Sequence, residues 1–450
     1  MANNKILFCI LSFNAPLGVR FQTCRKNHKK IMKARILSTP RELVYIVLLA
    51  FVAFSLTLSY QLNSISIILL AVFYLCDKNL ISKVKGLSFT VAYFYLIYFI
   101  IHVIGLLITE NMQEGLKEVT VKLSFLLLPI IIFSEKISKD YLYQLFVLFK
   151  YWMSLFALFL IYHKLFVIGG PLSTLPVISL YRLTGIHHAY FSLFFMFNLF
   201  FLFYQINSKK IGFGIGLLQV LFFFFFIAVL GARIMFGVAL LITLIFLSKK
   251  LIQLKSFQRV VLVLIFAFTS FFIYNKTDVS EKFTRLSKIE WDIEKNIYNH
   301  QVFTFGYDES TSNTFEMRLI KWYCASEVIK ENLFTGVGTG DYNDILVQKY
   351  EDIDFKKGMV YGYNTHNQYL EEFLKFGVFG GVFFIIFMTY IVYQAVKFKN
   401  WFLVSIIFTI CAFMLIESIF ERQHGVVFFS FFIPLVYLYH QSNRILKNQD

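Results

Sequence analysis

Three side chains combine a reactive type with a demanding position. His366, in Asn364-Thr-His366-Asn367-Gln-Tyr369-Leu370, stands where a polar stretch meets an apolar one. Histidine titrates near neutrality and is the commonest general base, so His366 is a candidate proton acceptor that Asn367 and Tyr369 could orient, or beside which they could bind substrate. Arg318 shares a helix face with Trp322, Ala325 and Ile329, at steps of four, three and four, and so lies along a stripe that packs inward. Arg233 sits in the tight turn Gly231-Ala-Arg233 between two apolar runs. Arginine at such a place is tolerated mainly when it faces a polar cavity or a partner, for which Glu417 is a candidate, and its planar fork suits bidentate contact with phosphate. Each has a plainer alternative: a structural histidine, an arginine stem covering apolar surface, a snorkelling interfacial arginine.

These residues need a holder. Ser310 to Gly381 is the one long polar interval, opening on an amphipathic helix from Thr314 that Asn313 and Glu316 are spaced to cap. Gly336-Val-Gly338-Thr-Gly340 follows; it is neither a P-loop nor a dinucleotide fingerprint, and it lets backbone approach something closely.

Around that interval the chain is apolar. Of 450 residues 58% are hydrophobic and 16% charged, against about 45 to 50% apolar in a soluble domain, so the excess must face lipid. Apolar runs occur near 43–60, 63–76, 87–109, 120–134, 143–166, 189–206, 211–230, 232–247, 258–275, 376–396, 401–420 and 424–440. A crossing needs about 20 apolar residues, and the second and fourth runs are short. The fold class is all-α, a polytopic membrane protein with about twelve transmembrane helices.

The formal charge of +16 lies in short tracts between apolar runs, at Lys78 to Lys85, Lys209-Lys210, Lys249 to Arg259, Lys397 to Lys399 and Arg444 to Lys447. That is the positive-inside pattern and not a nucleic-acid patch. It predicts a basic cytoplasmic arm over 1–42, helices one to nine within 43–275, one large external loop over 276–364 that carries an excess of acids, helices ten to twelve within 365–440, and a cytoplasmic tail over 441–450. Translation from Met32 in place of Met1 stays open. Arg182, His187, His188 and Glu417 to His424 also fall on the external side. Five scattered cysteines without a C-x-x-C predict neither zinc nor a disulfide framework, and no cofactor is expected.

Arg318-x3-Trp322-x2-Ala325, then Gly336-Val-Gly338-x-Gly340, then His366-Asn367-x-Tyr369-Leu370 with Gly377 and Gly380, together resemble the O-antigen ligase superfamily, which includes O-antigen polymerases and related glycosyltransferases. The Gly231-Ala-Arg233 turn and Glu417-Ser418 are similar to that family's small-residue-arginine turn and acid-serine pair. The resemblance covers about 182 to 425. Leu333 departs from it, where proline commonly precedes the glycine turn.

The resemblance implies a membrane glycosyltransferase of the bacterial inner membrane, its site facing the periplasm. It implies an undecaprenyl-diphosphate-linked glycan donor and an inverting, metal-independent transfer to a hydroxyl of lipid A-core or another glycan acceptor. By the same likeness His366 is the general base and Arg233 and Arg318 hold the diphosphate, with Arg182, Asn367, Tyr369, Trp322 and Gly338 as substrate-binding candidates. Ligase and polymerase share this set and are not separated by it. A transporter or flippase would instead place ionisable groups near the bilayer midplane among internal repeats, and no clear repeat is present.

Overall fold

The computed structural model describes residues 40–85, 87, 90–169, 175, 180–251, 256, 289–301 and 314–447. The basic arm through residue 39, the apolar run 258–275, the Asn313 cap and the loop segments 276–288 and 302–313 lie outside them. Two compact units are distinguished, 1–47 and 48–450; the second holds everything described below from residue 48 onward.

Every regular element among the described residues is helical. The first group is α1 Pro40–Ser55, α2 Tyr60–Leu75, α3 Leu80–Lys85, α4 Thr90–Ile104 with a 3₁₀ turn at Gly105–Ile108, α5 Met112–Ser134 and α6 Lys139–Tyr162 with a π turn at His163–Ile168. Then come the single turn α7 Arg182–Thr184, α8 His188–Asn207, α9 Phe213–Leu230 and α10 Arg233–Leu251. The polar interval holds α11 Ile293–Gln301, α12 Thr314–Glu331, α13 Tyr342–Asp352 and α14 Lys356–Tyr361. The chain closes with α15 Gln368–Lys397, α16 Trp401–Met414, a 3₁₀ turn at Ile419–Glu421 and α17 Gln423–Lys447.

Each apolar run that falls on described residues is helical. Among the described residues five stretches are long and apolar enough to cross a membrane: Val91–Ile108, Lys139–Ile168, His188–Asn207, Phe213–Leu230 and Gln368–Lys397. Several helices differ in extent from their apolar runs, and two of the differences build the site. α15 starts eight residues before 376, because its first two turns carry polar side chains that bury against ionic partners; α16 ends at Met414, and 415–422 leave the helix to reach the site.

α8 is apolar on all sides and buried on nearly all of them, as a helix must be at the centre of a bundle. α17 lies beside it, and Phe197 meets Phe432 with ring centroids 4.5 Å apart. The polar interval has a small core of its own, in which Ile320, Cys324, Ala325 and Val328 of α12 pack with Leu346 and Tyr350 of α13, Phe355, and Leu374 of α15.

One break ties interval to bundle. Gly377 has φ 59° and ψ −158° inside α15, which strips intrahelical bonds from the groups around it, and such groups must be paired elsewhere. The glycine turn pairs them: Val337 N–H donates to Leu374 O at 3.0 Å, Gly338 N–H to Lys375 O at 2.9 Å, and Val378 N–H to Leu333 O at 2.7 Å. Gly336 and Gly338 both have positive φ, and a Cβ at Gly336 would strike the backbone of Lys375.

Candidate active site

The connection 362–367 delivers His366 to the start of α15. Asn367 caps that helix, its side-chain oxygen accepting from Tyr369 N–H at 3.0 Å and Leu370 N–H at 3.2 Å. His366 itself has φ +48°, a left-handed conformation that costs a non-glycine residue about 1–2 kcal/mol. Asn364 Oδ1 holds it there by accepting the His366 N–H at 3.2 Å.

The segment after α16 brings the partner. His366 Nδ1 lies 3.1 Å from Glu417 Oε2, the two side chains 24% and 9% exposed. A carboxylate there favours a proton on Nδ1, which leaves Nε2 as the basic nitrogen, and Nε2 meets no hydrogen-bond acceptor or donor among the described residues. Burial draws the His366 pKa below its ordinary value; Glu417 opposes this, and Lys321 and Arg318 add to it. Burial alone would raise the Glu417 carboxyl, yet the His366 hydrogen bond and charge, with His187 and Arg318, bring it down to about 2. The pair is therefore a neutral imidazole on an ionised carboxylate near neutral pH.

Arg318 reaches the same place. Its Nε–H donates to Ile416 O at 3.2 Å, the residue before Glu417, and its Nη groups find no acceptor among the described residues. Lys321, one turn further along α12, is 4% exposed and holds its ammonium 3.8 Å from the centroid of the Tyr363 ring. Burial, with Arg318 beside it, lowers its pKa to about 7, and Glu417 pulls the other way. The Tyr363 ring in turn lies 6.2 Å from that of His366. His187 caps α8 and feels the charges of Glu417, Arg422, His366 and Arg318, so this end of α8 also faces the cluster.

A brace of hydroxyls fixes both strands of the site. Glu371, fully buried, accepts from Ser418 Oγ at 3.1 Å and from Thr365 Oγ1. Ser418 Oγ accepts from Asn367 N–H at 3.2 Å. The neighbours of His366 and of Glu417 thus share one carboxylate.

Next to it lies a buried ionic knot. Lys122 of α5 meets Glu118 at 3.1 Å and Glu421 at 3.3 Å; Lys375 of α15 meets Glu118 at 3.5 Å and also pairs with Glu421. Tyr342 of α13 donates to Glu421 at 3.3 Å. Gln368 donates to Glu372 at 2.8 Å and accepts from Phe420 N–H at 2.7 Å. Burial would raise the Glu421 carboxyl, but the two lysines hold it well below the usual range. The knot joins α5, α13, α15 and the 3₁₀ turn that follows Glu417.

Of the residues marked in the sequence, the structure gathers His366, Arg318 and Asn367 around Glu417 and Ser418. Glu417 bonds His366, where the sequence offered it to Arg233, because the 415–422 segment folds back onto the start of α15. Arg233 opens α10 half-buried, and the bonds that define the cluster are made by other residues. Arg182 is exposed on α7, also apart from those bonds. Tyr369 donates to Cys411 O at 3.3 Å. Trp322 packs edge-on against Phe315 at 5.9 Å, its Nε1 buried without an acceptor among the described residues. Gly338 spends its N–H on Lys375 O, and its open face lies against residues 105–109, where a Cβ would strike Thr109 Oγ1. Glu316 Oε1 accepts from Glu290 N–H at 3.0 Å, tying α12 to the segment before α11.

Sequence reasoning passed over Lys321 and Glu371. The deepest stripe of α12 runs through Ile320, Lys321, Cys324, Ala325 and Val328, rotated from the Arg318–Trp322–Ile329 line. A lysine three residues after the marked arginine, in an apolar stripe, was the available signal.

No curated protein matches the chain. A family model described as O-antigen ligase matches residues 172–385, a stretch that begins before α7, ends inside α15 and includes His187, Arg318, Lys321, His366 and Glu371. The likeness seen in the motifs is thereby met by an independent match that takes in Arg318 and His366, stops short of Glu417 and Ser418, and supports the O-antigen ligase superfamily.

Proposed function

We propose that this protein is an O-antigen ligase-type glycosyltransferase that moves glycan from undecaprenyl diphosphate to a hydroxyl of a lipid A-core acceptor, with inversion and without a metal ion. The observation that carries the reading is the His366–Glu417 pair beside Arg318, with His366 and Arg318 inside the stretch that the O-antigen ligase family model matches. The acceptor O–H gives its proton to His366 Nε2 as its oxygen bonds the donor sugar's anomeric carbon. The bond from that carbon to the diphosphate oxygen breaks, and undecaprenyl diphosphate leaves with the electron pair. Glu417 stabilises the imidazolium that forms. The Nη groups of Arg318 meet the charge developing on the leaving group, as preorganised donors do in other transfers. Arg233 is the second diphosphate cation in this reading, and Arg182, Trp322, Gly338, Asn367 and Tyr369 border the substrates; both assignments rest on the family likeness.

The same reading sets twelve spans with both termini cytoplasmic in the bacterial inner membrane. It puts the polar interval and the site on the periplasmic side, supported by the basic tracts between apolar runs.

The test is the glycolipid profile of a strain lacking this gene, complemented with wild type or His366→Ala. Loss of glycan-capped lipid A with accumulation of long polyprenyl-linked chains, restored by wild type alone, is the expected result. Lipid A carrying single repeats would make the protein a polymerase of the same superfamily. An unchanged profile would overturn both and favour transport or another glycan transfer.

A further inference from the structure

Lys321 is a buried cation with no acid of its own. Its side chain is 4% exposed, and its one polar contact among the described residues is the Tyr363 ring at 3.8 Å. A ring face satisfies part of an ammonium's charge and none of its three N–H donors in the way an oxygen would. Lys122 and Lys375, the buried lysines of the neighbouring ionic knot, each meet two carboxylates. Glu417, the acid nearest in charge to Lys321, is occupied by His366. Arg318 stands one turn away on the same helix, with Nη donors also open. A buried charge left without a counter-ion is expensive, and the half-buried Arg318 adds a second positive charge one turn away. Their arrangement is that of a site completed by an anion.

We infer that Lys321 and Arg318 together bind a phosphate group of the substrate, Lys321 being a phosphate-contacting residue that supplies a movable point charge beside the fixed fork of arginine. The Tyr363 ring, which neighbours both Lys321 and His366, sets the distance between the bound phosphate and the base. This deepens the function proposed above and rests on it for the lipid-linked donor; the anion site itself rests on Lys321, Arg318 and Tyr363.

The full-length protein in detergent, titrated with inorganic pyrophosphate and with farnesyl diphosphate, tests it. Lys321→Met is expected to weaken both ligands about tenfold or more, the loss typical of one charge-assisted hydrogen bond, while Lys321→Arg recovers most of the affinity. A merely structural lysine would give no such rescue by charge. Acetylation of Lys321 in the wild type, read by mass spectrometry, needs no variant: pyrophosphate is expected to protect it, and absence of protection overturns the inference. Pyrophosphate binding that depends on Lys321 but gains nothing from the prenyl chain supports the anion site and removes the lipid donor. Farnesyl diphosphate binding indifferent to Lys321→Met overturns the anion site and leaves the donor reading standing. Binding of neither ligand overturns both.

Discussion

His366 Nδ1 and Glu417 Oε2 meet at 3.1 Å across 51 residues of chain, one from the connection into α15 and the other from the segment after α16. Neither residue is catalytically informative alone: a lone histidine is often structural, and a lone acid near a helix end is often a cap. Together they make an oriented base, and Glu371 locks the pair by holding Thr365 on one strand and Ser418 on the other.

If Glu417 acts through His366, the two substitutions must not add. His366→Ala is expected to lower kcat about 10²- to 10⁴-fold, the usual contribution of a general base. Glu417→Gln, which keeps the shape and loses the charge, should fall between that and wild type. The double variant should be no slower than His366→Ala, since coupled residues lose their shared function once. Additive losses in a glycan-transfer assay would separate the two.

The rate should depend on pH in two senses. His366 works neutral, and burial sets its pKa below 6.5, so kcat/KM should fall only as pH drops below 6.5. Lys321 works charged, with a pKa lowered to about 7, so donor binding should weaken as pH rises above about 7 in the free enzyme. Lys321→Arg is expected to remove that alkaline limb while the acid limb stays. A profile of kcat/KM from pH 5 to 9 on both proteins decides it.

Gly377 is where the glycine turn grips α15. Its φ of +59° disfavours any side chain, and a Cβ there would strike the Phe334 carbonyl. Gly377→Ala is expected to cost about 1–3 kcal/mol, the range for a residue forced into a sparse backbone region. A thermal melt in detergent should show it as a lower Tm. An unchanged melt would mean that α15 closes its break without the turn.

Glu421 neutralises Lys122 and Lys375 in the ionic knot. Glu421→Ala leaves both with Glu118 alone, and breaking such a buried network costs about 3–5 kcal/mol. The expected outcome is a poorly accumulating or low-melting protein. Lys321→Met, which removes a buried charge outside the knot, should melt at or above wild type, and the contrast between these two melts is the measurement.

Much of this was legible in the chain itself. Apolar runs dictate helices because a backbone in lipid must bond within its own segment, and so each run on described residues is a helix whose position was visible in advance. His366 and Arg318 also stood out, because a polar interval flanked by such runs leaves few places for chemistry. What the sequence could not disclose was pairing. Its place at an apolar edge made Glu417 a candidate partner for Arg233; it meets His366 because residues 415–422 leave the helix early and fold back. In the sequence Glu118 and Lys122 stand at the edge of the apolar run 120–134, and Glu371, Glu372 and Lys375 just ahead of the run 376–396. They become buried partners only when α5, α13 and α15 are packed side by side. Lys321 was hidden for a related reason: helical periodicity fixes which residues share a face, but which face is deepest depends on the neighbours, and α11, α13 and α15 turn the Lys321 stripe inward. Local physics set the elements, and long-range packing chose which charges face one another.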